Sequence, residues 1–162
     1  MKKLFLASCF LFLFVFAGFI SLQPSLKPVL ADEISFGDLT IIDPWIKAAH
    51  SGKPVTAGYL TIRNNGSADD YLLGASAEFS HKTEIHEMKM SGEVMQMRPL
   101  PDGMVIPAGE IVMLKPGGYH VMFMGLSQPI HENDNVEIEL NFKNAGSVSV
   151  MFEAKNKHSH SH

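Results

Sequence analysis

A histidine and several methionines alternate along the segment from His86 to Met97. If Ser91-Gly92 is the two-residue loop of a β-hairpin, His86 lies opposite Met97 and Met88 lies opposite Met95. Directly opposed residues have Cβ atoms about 4.5–5.5 Å apart, so this pairing places an imidazole beside a thioether. A symmetric four-residue loop keeps the pairing, whereas a three-residue loop with a bulge breaks it. The segment therefore predicts one histidine–methionine pair on one face of a hairpin.

A second short segment, Tyr119–Met124, also alternates between two kinds of side chain. One set is apolar and suits a core, and it consists of Tyr119, Val121 and Phe123. The opposite set consists of His120, Met122 and Met124. A strand that buries its first face has no packing need for histidine and methionine on the second. We interpret this face as a second histidine–methionine pair.

Two neutral imidazoles and two thioethers form a soft, uncharged set of ligands. Thioether sulfur selects Cu(I) over harder ions, and imidazole also suits copper. Zinc prefers thiolate, imidazole or carboxylate ligands. We therefore predict reversible binding of Cu(I), and the predicted ligands are His86, Met97, His120 and Met122.

Each of these residues also has an ordinary structural interpretation. A single methionine usually fills a gap in a core, and a single histidine is usually a surface or hydrogen-bonded residue. The secondary candidates near the site are Met88, Met95 and Met124, and we expect Met88 and Met95 to form a hydrophobic rim that limits access of water. The methionines assigned to packing are Met104, Met113 and Met151.

The first 31 residues have the pattern of a secretory signal peptide. Lys2 and Lys3 precede a nearly unbroken apolar run from Leu4 to Ile20, and small residues end the segment at Ala31. An uncleaved membrane anchor is the alternative interpretation, because the apolar run is almost long enough to span a bilayer. We expect the protein outside the cytoplasm, in the periplasm or at the outer face of the cytoplasmic membrane.

Cysteine content and charge exclude several classes of protein. Cys9 is the one cysteine among 162 residues, and cleavage of the signal removes it. The mature chain then has no disulfide, no thiolate nucleophile and no blue-copper centre, which requires a cysteine ligand. The formal net charge of -4 argues against a nucleic-acid partner.

The mature chain has the pattern of an all-β protein with a single domain, residues 32–154. Short runs rich in β-branched and aromatic residues recur between turns that contain glycine, proline and asparagine. Eight or nine such runs predict a Greek-key β-sandwich or barrel. Residues 155–162 are polar and are expected to form a flexible tail.

The chain resembles the periplasmic copper chaperone family written PCu(A)C. The family motif is a histidine, ten residues, a methionine, about twenty-one residues and then His-x-Met. Here ten residues separate His86 from Met97, and twenty-two separate Met97 from His120-Val121-Met122. The resemblance implies a cupredoxin-like fold that binds Cu(I) through these four side chains. It further implies delivery of copper to the Cu-A centre of cytochrome c oxidase, directly or through another assembly chaperone.

Three histidines alternate with serine at the end of the chain. They are His158, His160 and His162. Imidazoles without thioethers favour Cu(II) over Cu(I), so this tract is a candidate secondary metal site. The alternative is a solubilising tail without a metal.

Three classes of function remain open at this point. The preferred one is a monomeric copper chaperone, which needs one partly exposed Cu(I) site and no substrate cleft. A non-metal interaction or adhesion sandwich is the first alternative. A copper-dependent redox enzyme is the second, and the sequence offers neither a thiol nor a G-x-S-x-G nucleophile motif for it.

Overall fold

The structure is a computed structural model, and it describes residues 32–156. In this part of the chain the regular elements are all β-strands. Their bounds are β1 Glu33–Phe36, β2 Leu39–Lys47, β3 Val55–Asn64, β4 Asp70–Ser76, β5 Ser80–Ser91, β6 Val94–Pro99, β7 Met104–Ile106, β8 Ile111–Leu114, β9 Tyr119–Leu126, β10 Asn135–Phe142 and β11 Gly146–Lys155.

The strands form one hydrogen-bonded sheet of eleven strands. Their order is β6-β5-β9-β8-β3-β2-β11-β10-β4-β7, with β1 paired to β2 and an additional pairing between β9 and β3. Several neighbours, such as β5 and β9 or β2 and β11, are distant in sequence, as in Greek-key connections. The prediction of an all-β, cupredoxin-like single domain is confirmed.

The core follows from the alternation of side chains along the strands. Val121 and Phe123 on β9 have no exposed surface, and Ile138 and Leu140 on β10 are equally buried. Because successive side chains of a strand point to opposite faces, the intervening residues of β9 face away from this core. Packing of the apolar face therefore decides which side chains β9 can present elsewhere.

The strand count differs from the prediction because of local backbone features. The sequence pattern predicts one strand over Ile34–Ile42. Gly37 has a positive φ of 58° and ends β1, so this run is instead a hairpin of β1 and β2. The sequence pattern also missed the three-residue strand β7. On β2 the register with β3 shifts between Ile42 and Trp45, and Asp43 there has a φ of 47°. This bulge decides the face on which Trp45 lies.

The proposed signal peptide and most of the proposed tail lie outside the described residues. The tail histidines His158, His160 and His162 also lie outside the described residues. Strand β11 continues to Lys155, which pairs with Lys47 of β2. Within residues 32–156 we find no helix long and apolar enough to cross a membrane.

Candidate metal centre

Two histidines meet across the neighbouring strands β5 and β9. His86 lies directly opposite His120, and their ring centroids are 5.6 Å apart with an interplanar angle of 62°. Both residues are buried, with exposed fractions of 9% and 3%. The two imidazoles predicted as ligands are therefore adjacent, and a direct cross-strand pair brings them together.

The alternation predicted for β9 is confirmed. Val121 and Phe123 are fully buried in the core, and Tyr119 packs partly buried against it. His120 and Met122 therefore share the other face of the sheet. On β5, Ile85 pairs with Val121 on the core side, which places His86 on the same outer face as His120.

The predicted register of the β5–β6 hairpin is wrong by two residues. His86 lies opposite Pro99, Met88 lies opposite Met97, and Met95 pairs with Met90. The two-residue loop is Gly92-Glu93, because Ser91 pairs with Val94. Gly92 has a φ of 64° and occupies the first central position, where a type II′ turn requires glycine.

A shift of two residues leaves each side chain on its predicted face. Met97 shares a face with His86 and lies diagonally across from it, two residue pairs further along the hairpin. Diagonal neighbours are about 7–8 Å apart, which is within reach of long side chains. Met122 lies opposite Glu84, two residue pairs from His86 in the other direction. The two thioethers thus flank the histidine pair on opposite sides.

Glu84 orients the ring of His86. Its carboxylate oxygen lies 2.8 Å from Nε2 of His86, and its other oxygen lies 2.6 Å from Nζ of Lys82. These contacts with Lys82 and His86 lower the pKa of Glu84. Because a carboxylate accepts, the proton of His86 lies on Nε2, and Nδ1 presents a lone pair. This Nδ1 is buried and has no hydrogen-bond partner.

The backbone orients His120 in the same way. Its Nδ1 lies 3.2 Å from the carbonyl oxygen of Gly118, which can only accept, so Nε2 presents the lone pair. Burial lowers the pKa of His120, the bond to Gly118 opposes that shift, and nearby His86 adds to it. Each ring therefore has one nitrogen oriented by a protein oxygen and a second nitrogen that the protein does not engage.

Aromatic residues extend the row of buried rings away from the hairpin. The ring of Tyr59 on β3 lies 6.4 Å from His120, and Trp45 on β2 lies 4.4 Å from Tyr59. Burial raises the pKa of Tyr59. Sequence reasoning did not assign these two residues to the site, because the bulge before Trp45 is what places it on the face of Tyr59.

The other methionines occupy varied positions. Met88 and Met124 are partly buried, whereas Met95 is 47% exposed and lies four residue pairs along the hairpin from His86. Met104 is in the core, as predicted. The assignment of Met113 and Met151 to packing is wrong, because both are more than half exposed on outward-facing strand positions.

Histidine, cysteine and carboxylate side chains alone do not form a metal site in the described part of the chain. Among residues 32–156, no group of three histidine, cysteine, aspartate or glutamate side chains is placed to hold a metal ion. The thioethers beside the histidine pair are therefore the candidates to complete its coordination shell. This combination favours a soft, monovalent ion.

Comparison with known proteins decides the family. Residues 39–154 match the family described as "Putative lipoprotein LpqE-like". The chain belongs to this family. It is also 32% identical over 111 residues to "Putative lipoprotein Lxx21020" of Leifsonia xyli subsp. xyli, an alignment that covers 68% of this chain and 66% of that protein. The chain thus spans slightly less than two thirds of that relative.

Solved structures share the fold of this LpqE-like protein. The copper-bound PCuAC domain from PmoF2 matches with a TM-score of 0.66 and 22% identity, over 77% of this chain and 98% of that domain. The Cu(I) form of DR1885 from Deinococcus radiodurans matches with a TM-score of 0.60 and 24% identity, over 82% and 87%. The resemblance to PCu(A)C proteins inferred from the sequence is confirmed by this shared fold.

Proposed function

We propose that this LpqE-like protein is a Cu(I)-binding metallochaperone and not an enzyme. The observation that carries the proposal is the pair of buried imidazoles, His86 opposite His120, in which Nδ1 of His86 lacks any hydrogen-bond partner. An unsatisfied buried polar atom is costly in a folded protein unless a ligand uses it. A bound metal ion would supply that missing partner.

The proposed ligands are His86, Met97, His120 and Met122. Both thioethers lie on the same face of the sheet as the two histidines. One lies on each side of the histidine pair along the strands. Thioethers bind no proton near neutral pH and carry no charge, so they favour Cu(I) without attracting divalent ions. The copper-bound PmoF2 domain and the Cu(I) form of DR1885, which have the same fold, support the proposal that this chain binds copper.

We further propose that the protein works outside the cytoplasm as a monomer, in the periplasm or at the outer face of the cytoplasmic membrane. The signal-like segment 1–31 supports this location, as do relatives that are named lipoproteins. The proposed recipient is the Cu-A centre of cytochrome c oxidase or one of its assembly chaperones. A site without thiolate can release Cu(I) to a recipient that offers one.

The terminal histidines are a separate proposal. His158, His160 and His162 supply imidazoles without thioethers, so we propose that they bind Cu(II). Titration of Cu(II) into the full chain and into a chain lacking residues 157–162 tests this. An unchanged Cu(II) stoichiometry would refute it.

Anaerobic competition for Cu(I) against a chromophoric chelator tests the main proposal. His120→Gln and Met122→Leu should each weaken Cu(I) binding. The matched controls are His50→Gln and Met151→Leu, which change exposed residues away from the pair and should leave binding unchanged. Equal Cu(I) binding by all four variants and wild type would favour the interaction-module alternative.

A further inference from the structure

The hairpin of β5 and β6 carries a row of methionines beyond the histidine pair. Every residue of β6 is exposed, and the end of β5 is exposed as well. On the face that continues from His86, all four positions nearest the loop are methionine. They are Met88, Met90, Met95 and Met97.

The register pairs these methionines directly across the two strands. Met88 lies opposite Met97, and Met90 lies opposite Met95. The Cβ atoms of each such pair are about 4.5–5.5 Å apart, and the two pairs are successive on one face. Four thioethers therefore line a short ribbon that leads from the loop to His86.

The other face of the same ribbon is polar apart from the exposed Val94 next to the loop. Glu87 pairs with Arg98 through a contact of 3.4 Å, and Lys89 lies opposite Gln96. This face shows the composition expected of an unpacked strand in water. The methionine face is exposed to a similar degree, and contact with water does not explain why its residues are methionines.

Packing does not account for the outermost pair. Met90 is 54% exposed and Met95 is 47% exposed, whereas Met104, a methionine that packs in the core, is 3% exposed. Neither Met90 nor Met95 belongs to the proposed ligand set around His86. Their sulfur atoms are available donors that the site described above does not use.

We propose that Met90 and Met95, with Met88, form a second Cu(I) site of thioethers alone, from which the ion passes to the histidine pair. Binding at this second site does not depend on the proposed function, but the onward transfer rests on it. The ion would move by ligand exchange, with a bond to the next sulfur forming as the bond to the last one breaks. Copper stays in the +1 state and no proton moves.

The two sites should differ in their affinity for Cu(I). Because Met90 and Met95 are exposed and the thioether site lacks imidazole, this site should bind Cu(I) more weakly than the histidine site at neutral pH.

Methionine methyl NMR during anaerobic Cu(I) titration tests the inference on the full chain. In wild type, a second equivalent of Cu(I) should shift the ε-methyl signals of Met90 and Met95. Met90→Leu with Met95→Leu keeps an apolar surface of similar size but removes both sulfurs, and it should lose this second equivalent. The control Met113→Leu with Met151→Leu removes two methionines of similar exposure, 53% and 52%, and should keep it.

The outcomes separate this inference from the proposed function. If Cu(I) moves imidazole signals but excess Cu(I) never moves the methyls of Met90 and Met95, the second site is refuted while the histidine site stands. The ribbon would then be only an apolar contact surface. If those methyls respond and the imidazoles do not, the second site stands and the proposed function fails.

Discussion

His86 lies directly opposite His120 on antiparallel strands, with ring centroids 5.6 Å apart and with both residues buried. Each ring has one nitrogen engaged by the protein, through Glu84 in one case and through Gly118 in the other. The remaining nitrogens, Nδ1 of His86 and Nε2 of His120, are the candidate donors to one ion.

Loss of either imidazole should weaken Cu(I) binding strongly. We expect His86→Gln and His120→Gln each to reduce affinity by more than about 100-fold, because loss of an outer-shell partner alone typically costs about 10–100-fold. Competition with a chromophoric Cu(I) chelator measures the change. His50→Gln, at an exposed loop position, serves as the control, and an equal loss in that variant would contradict a specific role for the pair.

Glu84 should act through His86 and not as a ligand. Glu84→Gln removes the charge that accepts from Nε2 of His86 at 2.8 Å, so the ring loses its fixed tautomer. We expect Cu(I) affinity to fall by about 10–100-fold with an unchanged number of bound sulfurs. Glu137→Gln, at an exposed position of β10, is the matched control. A change in the X-ray absorption ligand count of Glu84→Gln would show that Glu84 binds copper itself.

Burial should make the apo protein sensitive to acid through His120. Its pKa is lowered from the ordinary value of 6.5, so below that pH the unfolded chain binds the proton more readily than the folded one. Stability contributed by His120 is therefore complete above pH 6.5 and is lost as the pH falls below it. NMR titration should find this ring titrating at lower pH in the folded chain than in urea. The opposite order would contradict the assignment.

In the observed register Met97 and Met88 are the two candidates for the third ligand. They face one another, and Met88 is partly buried while Met97 is 48% exposed. Because Met97 is the proposed ligand, we expect Met97→Leu to weaken Cu(I) binding more than Met88→Leu in the same chelator competition. A larger loss in Met88→Leu would show that Met88, on the same strand as His86, is the ligand instead of Met97.

Tight packing beneath the site should make any side chain at Gly58 destabilising. A Cβ atom there would lie 3.0 Å from the ring of Phe123 and 3.5 Å from that of Phe152, and both rings are fully buried. We expect Gly58→Ala to lower the free energy of unfolding by about 1–3 kcal/mol, as overpacking does. Gly74→Ala meets no atom within 4 Å and is the control for urea unfolding. Equal stability of the two variants would contradict this packing.

Alternation along the chain was sufficient to predict the fold class and the two faces of β9. Val121 and Phe123 are strongly apolar, so the opposite placement of His120 and Met122 follows from the period of a strand. The contact between His86 and His120 could not be predicted in this way. It depends on the pairing of β5 with β9, which are separated by three strands in the chain.

The hairpin register was not predictable from residue types alone. Both Ser91-Gly92 and Gly92-Glu93 are plausible two-residue loops, and they differ in which central position the glycine occupies. The observed loop places Gly92 first, with its positive φ, and thereby moves Met97 from His86 to Met88. The two-residue slip preserved the face of every methionine but changed every partner.

X-ray absorption spectroscopy of the anaerobic protein with less than one equivalent of Cu(I) tests the central claim most directly. The account predicts one copper ion bound by both imidazole nitrogen and thioether sulfur. It also predicts that His86→Gln and His120→Gln each remove nitrogen, and that Met97→Leu and Met122→Leu each remove sulfur. A copper spectrum with nitrogen or oxygen ligands alone, or one that all four substitutions leave unchanged, would contradict it.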